Sequence, residues 1–186
     1  MGGTPVHTEV NSAIIERCKN GERKAFHELY ELYAKAMFNI SLRIVNNSAE
    51  AEEVLQDSFL KVFQKINSYD PNHSFGAWLK RIVINGSLDV LKKRKPVLVP
   101  LEEVTHVQEE ETGDEVTYDV NSIKKCIAQL PDGYRTILSL YLFEEHSHKE
   151  IAGFLGISEG TSKSQYNRAK KRLIELIKQN TLTNER

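Results

Sequence analysis

The segment 147–173, SHKEIAGFLGISEGTSKSQYNRAKKRL, restricts the fold of this chain more than any other part of it. Ser147 and, three residues later, Glu150 form the pattern of a capping box, which predicts the start of a short helix. Gly156 comes where that helix would end, because glycine adopts the positive φ angle of a helix C-terminus without strain. Ser158 is then placed to cap a second, longer helix. Two helices joined by a tight glycine turn predict a helix-turn-helix.

The second helix of this motif has an apolar face, whose residues recur at spacings of three and four, and an opposite polar face. The apolar residues are Tyr166, Ala169, Leu173 and Leu176. The polar face carries Lys163, Ser164, Asn167, Arg168 and Lys171. Cations bind phosphates, and Arg, Asn and Gln side chains bind base edges, so the motif predicts a reader of the DNA major groove. The alternative is a basic face that only keeps a helical hairpin solvated.

Helical periodicity runs along most of the remaining chain, and no segment alternates as a strand does over a useful length. The expected helices cover about 8–19, 25–44, 48–66, 75–93, 123–130 and 133–143, with Ser48 as the cap of the third. Residues 96–120 contain proline, glycine and acidic residues without helical spacing, which is typical of an extended linker. We therefore expect an all-α fold of two small helical domains, 8–95 and 121–180, joined by an acidic extended linker. The C-terminal domain is the helix-turn-helix.

The net charge of −1 conceals an uneven distribution. Residues 1–95 hold 14 basic and 11 acidic residues, a net charge of +3. Residues 96–120 hold 8 acidic residues and no Lys or Arg, and residues 121–186 hold 11 basic and 7 acidic residues, a net charge of +4. Two basic modules therefore flank an acidic tether, and a DNA backbone would respond to the local field of each module.

Several classes of protein do not fit the sequence. No apolar run approaches the roughly 18 residues of a membrane span, and the N-terminus lacks the pattern of a secretory signal, so we expect a cytoplasmic protein without membrane insertion. Cys18 and Cys126 are expected to be buried, inert thiols of a reducing compartment. His146 and His148 lack a third ligand for zinc. No catalytic arrangement is evident, so no metal, cofactor or enzymatic activity is expected.

The front module carries a candidate site for unpaired nucleic acid. Cations follow the helix predicted from residue 75, and the loop before it carries polar and aromatic side chains that could hold an unstacked base. The candidate residues are Asn67, Tyr69, His73, Lys80, Arg81, Asn85, Lys92, Lys93 and Arg94. The alternative is a basic helix end that is favoured by the helix dipole.

The third predicted helix presents four acidic or amide side chains together: Glu52, Glu53, Gln56 and Asp57. They indicate a docking face for a partner with a basic surface. The alternative is a solvated first turn, because acids are also stabilised near a helix N-terminus by the helix dipole.

Three stretches in this order resemble a bacterial RNA polymerase sigma factor of the sigma-70 family and its extracytoplasmic-function (ECF) group. They are AEEVLQDSFLKVF (51–63), FGAWLKRIVINGSLDVLKKRK (75–95) and LPDGYRTILSLYLFEEHSHKEIAGFLGISEGTSKSQYNRAKKRL (130–173). The resemblance covers about 10–177. It implies a non-enzymatic factor that binds core RNA polymerase and directs promoter-specific transcription initiation in response to an envelope or environmental signal.

The resemblance also implies roles for each part of the chain. Residues 8–95 would be region 2, with the acidic face on the clamp helices of the polymerase β′ subunit and the loop 67–74 at a flipped base of the −10 element. The linker 96–120 would run towards the RNA exit channel. Residues 121–180 would be region 4, which binds the −35 element and the β flap. An anti-sigma factor is an expected further partner.

For the −35 element, the resemblance implies that these residues bind DNA: Thr161, Lys163, Ser164, Gln165, Asn167, Arg168, Lys171 and Arg172. The chain departs from the family at two positions of this segment, 162 and 165. The family often reads Gly-Thr-Val-Lys-Ser-Arg where this chain reads GTSKSQ (160–165). Gln165 replaces a cation at an expected DNA-facing position. Ser162 replaces an apolar residue that would pack.

Three other classes of protein remain to be weighed against an initiation factor. A two-module DNA-binding repressor or activator would share the helix-turn-helix but would not act with purified core polymerase. An enzyme would need a catalytic arrangement, and an anti-sigma factor or adaptor would not need a base-reading face.

Overall fold

The protein is described from a computed structural model that defines residues 5–94 and 120–184, with side chains for 12–94 and 122–180. The chain separates into two compact units, Met1–Arg94 (unit 1) and Lys95–Arg186 (unit 2). All regular structure in the defined ranges is helical, which confirms the all-α prediction. The predicted extended linker lies outside the described residues, apart from Val120, which begins a helix.

The described residues of unit 1, 5–94, form four α-helices. They are α1 (Pro5–Lys19), α2 (Arg23–Val45), α3 (Ser48–Lys65) and α4 (Phe75–Arg94), with a single 3₁₀ turn at Ile66–Ser68 after α3. Helices α2, α3 and α4 each pack on the other two, and α1 packs on α2. The predicted helices are therefore present, with ends that differ by a few residues from the expected ones.

The core of unit 1 lies between α2, α3 and α4, where Leu29, Val62 and Leu79 are fully buried. Helix α4 comes very close to its neighbours because Gly86 has no side chain. A Cβ atom at Gly86 would lie 3.3 Å from Val54 of α3, a tighter contact than most side chains make. The backbone of α4 is thereby held at a fixed distance from α3.

The start of α3 corrects one prediction. The helix is capped by Asn47, whose side chain accepts a hydrogen bond from the Glu50 backbone N–H at 3.1 Å, and the expected cap Ser48 is already helical. Asn47 has the extended backbone that a cap requires, and Asn and Ser are comparable caps, so the sequence alone did not separate the two positions.

In unit 2, residues 120–184 form four helices: α5 (Val120–Ala128), α6 (Asp132–Leu142), α7 (His148–Leu155) and α8 (Glu159–Asn184). Helices α5, α6 and α7 all pack on α8. Cys126, Leu130 and Leu138 form the core with Ala169 and Leu176 of α8, and Tyr166 and Leu173 pack against it. The predicted apolar face of α8 is confirmed.

The helix-turn-helix of α7 and α8 has the predicted local structure. Ser147 Oγ accepts from the Glu150 N–H at 3.3 Å and Glu150 Oε2 accepts from the Ser147 N–H at 2.9 Å, so both halves of the capping box are present. Gly156 has a φ angle of 67° and ends α7. Ser158 Oγ accepts from the Thr161 N–H at 3.0 Å and caps α8.

The interior of unit 2 also contains polar side chains. Thr136 and Ser139 of α6 and Ser162 and Gln165 of α8 are all buried. The hydroxyls of Thr136 and Ser139 and the side-chain oxygen of Gln165 have no hydrogen-bond partner among the described residues. A buried polar group without a partner costs free energy relative to a hydrated one, so this core is less favourable than an apolar core of the same size.

Both cysteines are buried and unpaired by disulfides, as the sequence predicts. Burial raises the pKa of Cys18 to about 11, so its thiolate form is scarce at neutral pH. No described helix is both long and apolar enough to cross a bilayer. Within the defined residues, no three His, Cys, Asp or Glu side chains are grouped as metal ligands.

The two glycines of the α7 region provide a matched stability test. Gly153 and Gly156 both have open space where a Cβ would lie, but only Gly156 has a positive φ angle. Gly156→Ala should therefore destabilise the protein by about 1 kcal/mol, whereas Gly153→Ala in the helix should stabilise it by about 0.5–1 kcal/mol. Urea unfolding of both variants measures this difference. Equal effects would contradict the assigned helix end.

Candidate nucleic-acid interface

The outward side of α8 carries a row of basic and polar side chains. Lys163, Asn167 and Lys171 are exposed and follow one another at spacings of four. Lys163 pairs with Glu159 of the same helix at 2.7 Å. Asn167 and Lys171 make no side-chain hydrogen bond or ion pair with any described residue. Their polar groups are available to a ligand.

The other predicted residues of this surface are partly engaged within α8. Thr161 Oγ1 lies 2.8 Å from Ser158 Oγ, and Ser164 Oγ donates to the Thr161 carbonyl at 3.0 Å. Arg172 donates to Glu175 at 3.0 Å in an exposed ion pair. Arg168 is half-buried. The hydroxyls therefore support the start of the helix, while the cations remain at the surface.

Gln165 corrects the sequence analysis. Its side chain is only 8% exposed, so the prediction that it faces DNA is wrong. Gln165 and Ser162 lie on the core side of α8 with Ala169, at spacings of three and four. The prediction followed the family motif at this position, whereas the phase of the helix decides which side the residue occupies. Ser162 occupies the packing position that the sequence assigned to it.

A polar contact between α7 and α8 was missed by the sequence analysis. His148 Nδ1 lies 3.0 Å from Ser162 Oγ. The imidazole ring stacks on Tyr141 at 4.6 Å between centroids and meets the edge of Tyr166 at 5.5 Å. Burial, and then the charge of Lys163, lower the pKa of His148. The only sequence feature that pointed to His148 was the HxH pattern at 146–148, which was interpreted as a possible metal site and not as a contact between helices.

The loop between α3 and α4 in unit 1 is held by its own hydrogen bonds. Asp70 Oδ1 accepts from the backbone and side-chain nitrogens of Asn72, both at 2.9 Å. The His73 N–H donates to the Asp70 carbonyl at 3.1 Å. The Tyr69 hydroxyl donates to the His73 carbonyl. The exposed side chains of Asn67 and His73 are therefore presented by an ordered loop.

Tyr69 is a second correction. Its ring is 8% exposed and packs against Phe75 at 5.3 Å and Trp78 at 5.4 Å. The ring is therefore not an exposed stacking surface, and Tyr69 can take part in the predicted site only through the wall of a cavity. Burial raises the pKa of the Tyr69 hydroxyl. Tyr69 instead forms part of a wall.

That wall belongs to a cavity of about 180 Å³ between α1, α2 and the loop. Aromatic rings and polar side chains line it together. The lining residues are Ser12, Ile15, Glu16, Lys19, Tyr33, Tyr69, Pro71, His73, Ser74 and Phe75. Such a combination suits a flat ligand with polar edges. Helix α1 contributes four of these residues, and the sequence analysis assigned none of them to a site.

Helix α4 continues this surface. Arg81 and Asn85 are exposed at a spacing of four, and Lys92 and Lys93 are exposed near the helix end. Lys92 lies 3.8 Å from Asp89, a weak surface pair. Lys80 is half-buried. Most of the predicted cations of unit 1 therefore lie at the surface beside or beyond the loop.

Arg94 is a third correction. Its guanidinium donates to Glu50 Oε1 at 2.9 Å and to the Val45 carbonyl at 3.0 Å, and it makes a second contact with Glu50. The residue ties the end of α4 to the corner between α2 and α3. The prediction that Arg94 serves nucleic acid is therefore not supported, because each of its three guanidinium nitrogens contacts a protein acceptor.

The acidic face of α3 is exposed at all four predicted residues, Glu52, Glu53, Gln56 and Asp57. Beside it, α2 and α3 enclose a groove of about 440 Å³. The groove is lined by Tyr30, Ala34, Lys35, Phe38, Glu52, Leu55 and Gln56. Leu60, four residues after Gln56, is 57% exposed. The predicted acidic face did not include this residue.

Unit 2 also exposes apolar side chains at the end of α6. Leu142 and Phe143 are 48% and 46% exposed. The signal was present in the sequence, since the run LYLF at 140–143 is too long for every residue to face one core. Exposed apolar residues that adjoin one another indicate a contact surface for another macromolecule.

The comparisons with known proteins agree with this architecture. The family descriptions "Sigma-70 region 2" and "Sigma-70, region 4" match residues 29–97 and 121–173. The chain is 30% identical over 172 residues to the ECF RNA polymerase sigma factor SigW of Bacillus subtilis, covering 86% of this chain and 92% of that protein. It is 29% identical over 178 residues to the RNA polymerase sigma-H factor of Pseudomonas aeruginosa, covering 87% and 91%.

A solved structure gives the same result. The sigma factor RpoE of Bartonella quintana, determined in complex with the anti-sigma factor NepR, matches with a TM-score of 0.56 and 26% identity, covering 83% of this chain and 98% of that chain. The chain belongs to the sigma-70 family of RNA polymerase sigma factors, in the ECF group.

The family defines what the protein does. Sigma factors are non-enzymatic initiation factors, and this chain works with core RNA polymerase to direct transcription initiation at specific promoters. The resemblance noted in the sequence is confirmed. The repressor, enzyme and anti-sigma alternatives are set aside.

The placement of Arg94 gives a stability prediction. Arg94→Ala removes hydrogen bonds to Glu50 and Val45 and should lower the free energy of unfolding by about 1 kcal/mol. Lys93→Ala removes an exposed neighbouring cation without a described partner and should change it by less than about 0.5 kcal/mol. Urea denaturation compares the two. An Arg94 variant as stable as the Lys93 variant would count against the anchoring role.

Proposed function

We propose that the two units divide promoter recognition between duplex and melted DNA. Residues 121–180 act as region 4 and bind the −35 element as duplex, and residues 8–95 act as region 2 and bind core polymerase and the −10 element. The observation that carries the proposal is the two-sided character of α8. Its buried side fixes the helix on its own unit, while Asn167 and Lys171 face outward with unoccupied polar groups.

In the −35 complex, α8 enters the major groove. Asn167 and Arg168 read base edges, because amide and guanidinium groups form bidentate hydrogen bonds there. Lys163, Lys171 and Arg172 bind phosphates, which gives position and an affinity that falls with salt. Thr161 and Ser164 have a supporting role at the helix start. Gln165 does not contact the bases in this proposal because it is buried.

In the −10 complex, the cavity beside the loop 67–74 receives an unstacked base. Its volume of about 180 Å³ and its mixture of rings and polar edges support this role. Asn67 and His73 belong to this loop, and Arg81, Asn85, Lys92 and Lys93 of α4 would contact the DNA strand. Extruding a base costs a few kcal/mol, which contacts in the cavity would offset.

Core polymerase is bound through the acidic face of α3. The exposed carboxylates of Glu52, Glu53 and Asp57 offer negative charge to the β′ clamp helices, and Gln56 adds an amide that can form hydrogen bonds. The groove between α2 and α3 and the exposed Leu60 add apolar area next to that charge. A polar rim around an apolar contact is the usual composition of a protein interface.

Unit 2 and the acidic tether supply further contacts. The exposed Leu142 and Phe143 form the surface that meets the β flap. The segment 96–120, with its 8 acidic residues, runs towards the RNA exit channel, where a polyanion is accommodated. The chain functions in the cytoplasm, where polymerase and promoter are found.

An anti-sigma factor regulates the protein. The support is the Bartonella quintana relative, whose structure holds the anti-sigma factor NepR. Such a partner would respond to an envelope or environmental signal and would release the chain for binding to polymerase.

The proposal is tested by reconstitution. Purified chain and bacterial core polymerase are mixed with a library of promoter fragments, and the transcribed fragments are sequenced. We expect two enriched elements separated by a spacer, with transcripts that depend on the chain. No enrichment and no stable complex with core enzyme would contradict the proposal.

Base reading by α8 is tested with Arg168→Ala. The variant should relax the preference at one position of the −35 element, at a cost of about 1–3 kcal/mol in discrimination, because one base-edge donor is lost. Lys171→Ala is the control and should weaken binding similarly for all sequences. The selection on the promoter library measures both. If Arg168→Ala leaves the sequence preference unchanged, Arg168 does not read a base of the −35 element.

Polymerase binding by the acidic face is tested with the double variant Gln56→Ala and Asp57→Ala. It should weaken association with core polymerase by about tenfold or more, because interface contacts are concentrated in few residues, and it should leave the melting temperature unchanged. The control double variant Gln64→Ala and Asp89→Ala removes the same functional groups elsewhere on unit 1. A pull-down or fluorescence titration in which both variants bind as the wild type does would refute this face.

A further inference from the structure

We propose that the imidazole of His148 donates a hydrogen bond from Nε2 to a phosphate of the −35 duplex, in an orientation set by Ser162 and two tyrosines. The inference rests on the proposed function of unit 2 as the duplex-binding unit. It adds a residue of α7 to a surface that otherwise consists of α8.

The ring of His148 is held from three directions. Nδ1 lies 3.0 Å from Ser162 Oγ, and Ser162 is fully buried, so this hydroxyl cannot turn to solvent. Tyr141 of α6 stacks on one ring face with an interplanar angle of 17°, and Tyr166 of α8 meets the ring at 65°. A ring held in this way loses little further freedom when it binds a ligand.

These contacts leave Nε2 as the free polar atom of the ring. It has no hydrogen-bond partner in the part of the chain that the structure describes, and it is not among the buried unpaired atoms. His146 differs, because its Nε2 is buried and its Nδ1 lies 3.8 Å from Glu150. When Ser162 donates to Nδ1, Nε2 carries the hydrogen and faces outward as a donor.

The surroundings of His148 favour an anion. Lys163 and Glu159 of α8 act on its charge, and Lys149 of α7 acts on the same Glu159. Glu159 is already paired with Lys163 at 2.7 Å. The neutral Tyr141 and Tyr166 complete the set of titratable groups around the ring. One carboxylate among two lysines and an imidazole leaves net positive charge, and Lys163 belongs to the DNA-facing side of α8.

Binding of a phosphate would couple to pH. Burial and Lys163 lower the pKa of His148 in the free protein, so the ring is mostly neutral at pH 7. A phosphate beside the ring favours the charged form and raises this pKa, which means that the protein takes up a proton when DNA binds. The DNA affinity should therefore rise as the pH falls from the pKa of the bound state towards the lower pKa of the free protein, by at most about tenfold per pH unit for one proton.

The contact is tested directly by NMR on the full chain with labelled histidine, titrated with and without short duplex DNA at low salt, where phosphate contacts dominate. The His148 signal is assigned from its absence in His148→Gln. We expect the pKa of His148 to rise when duplex is added, and that of His146 to change less. An unchanged pKa of His148 on a duplex that the chain binds would overturn the proposal.

Variants add a second readout by fluorescence anisotropy. His148→Ala should weaken duplex binding by about three- to tenfold and abolish the pH dependence. His148→Gln keeps a donor, so it should retain part of the affinity without the pH dependence. Ser162→Ala keeps the imidazole and should weaken binding while preserving the pH dependence. His146→Gln is the matched control and should behave like the wild type.

The two proposals fail separately. If His148→Gln keeps the wild-type pH dependence, the phosphate contact is refuted even when the holoenzyme selects promoters normally. If the holoenzyme selects no promoter, the proposed function is refuted, while the NMR titration still decides whether His148 meets a phosphate. If His148→Ala does not fold, the His148→Gln variant and the NMR titration of His148 still test the phosphate contact.

Discussion

The packing of α8 on the core of unit 2 is the constraint on which the DNA-facing surface depends. Ala169 is fully buried, and Leu176 lies two turns further along the same side. Because an α-helix has 3.6 residues per turn, burying these residues determines which others face outward. Asn167 and Lys171 are exposed for this reason and not because of their own polarity. A rotation of α8 about its axis would bury the residues that now face outward and expose the residues that now pack in the core.

In unit 2, local sequence patterns were enough to predict the helix ends and the apolar face of α8. The capping pair Ser147 and Glu150, the left-handed Gly156 and the apolar spacing of α8 each depend on residues within two turns of one another, and all three appear in the structure. Gln165 shows the limit of reading by motif. The family pattern suggested a DNA-facing residue, while the helical phase in this chain places it with Ala169 inside.

In unit 1 the errors come from distant partners. Arg94 looked like one more cation of a basic cluster, but Val45 and Glu50, more than 40 residues earlier, accept its hydrogen bonds. Tyr69 looked like a stacking platform, but Phe75 and Trp78 cover it. Composition predicted a surface for nucleic acid in unit 1, whereas tertiary packing decides which of the predicted residues are accessible to a ligand. The α1 contribution to the cavity had no signal in the sequence at all.

The polar interior of unit 2 has a consequence for the lifetime of the protein. Thr136, Ser139 and Gln165 bury groups without partners, so the closed form gains less free energy than an apolar core would give it. Such a core would lower the free energy needed to open the unit, and proteases cut chains in their open form. Occupation by DNA or polymerase would suppress opening by mass action. Molecules engaged at a promoter would then outlast idle ones, and the cellular pool would follow demand.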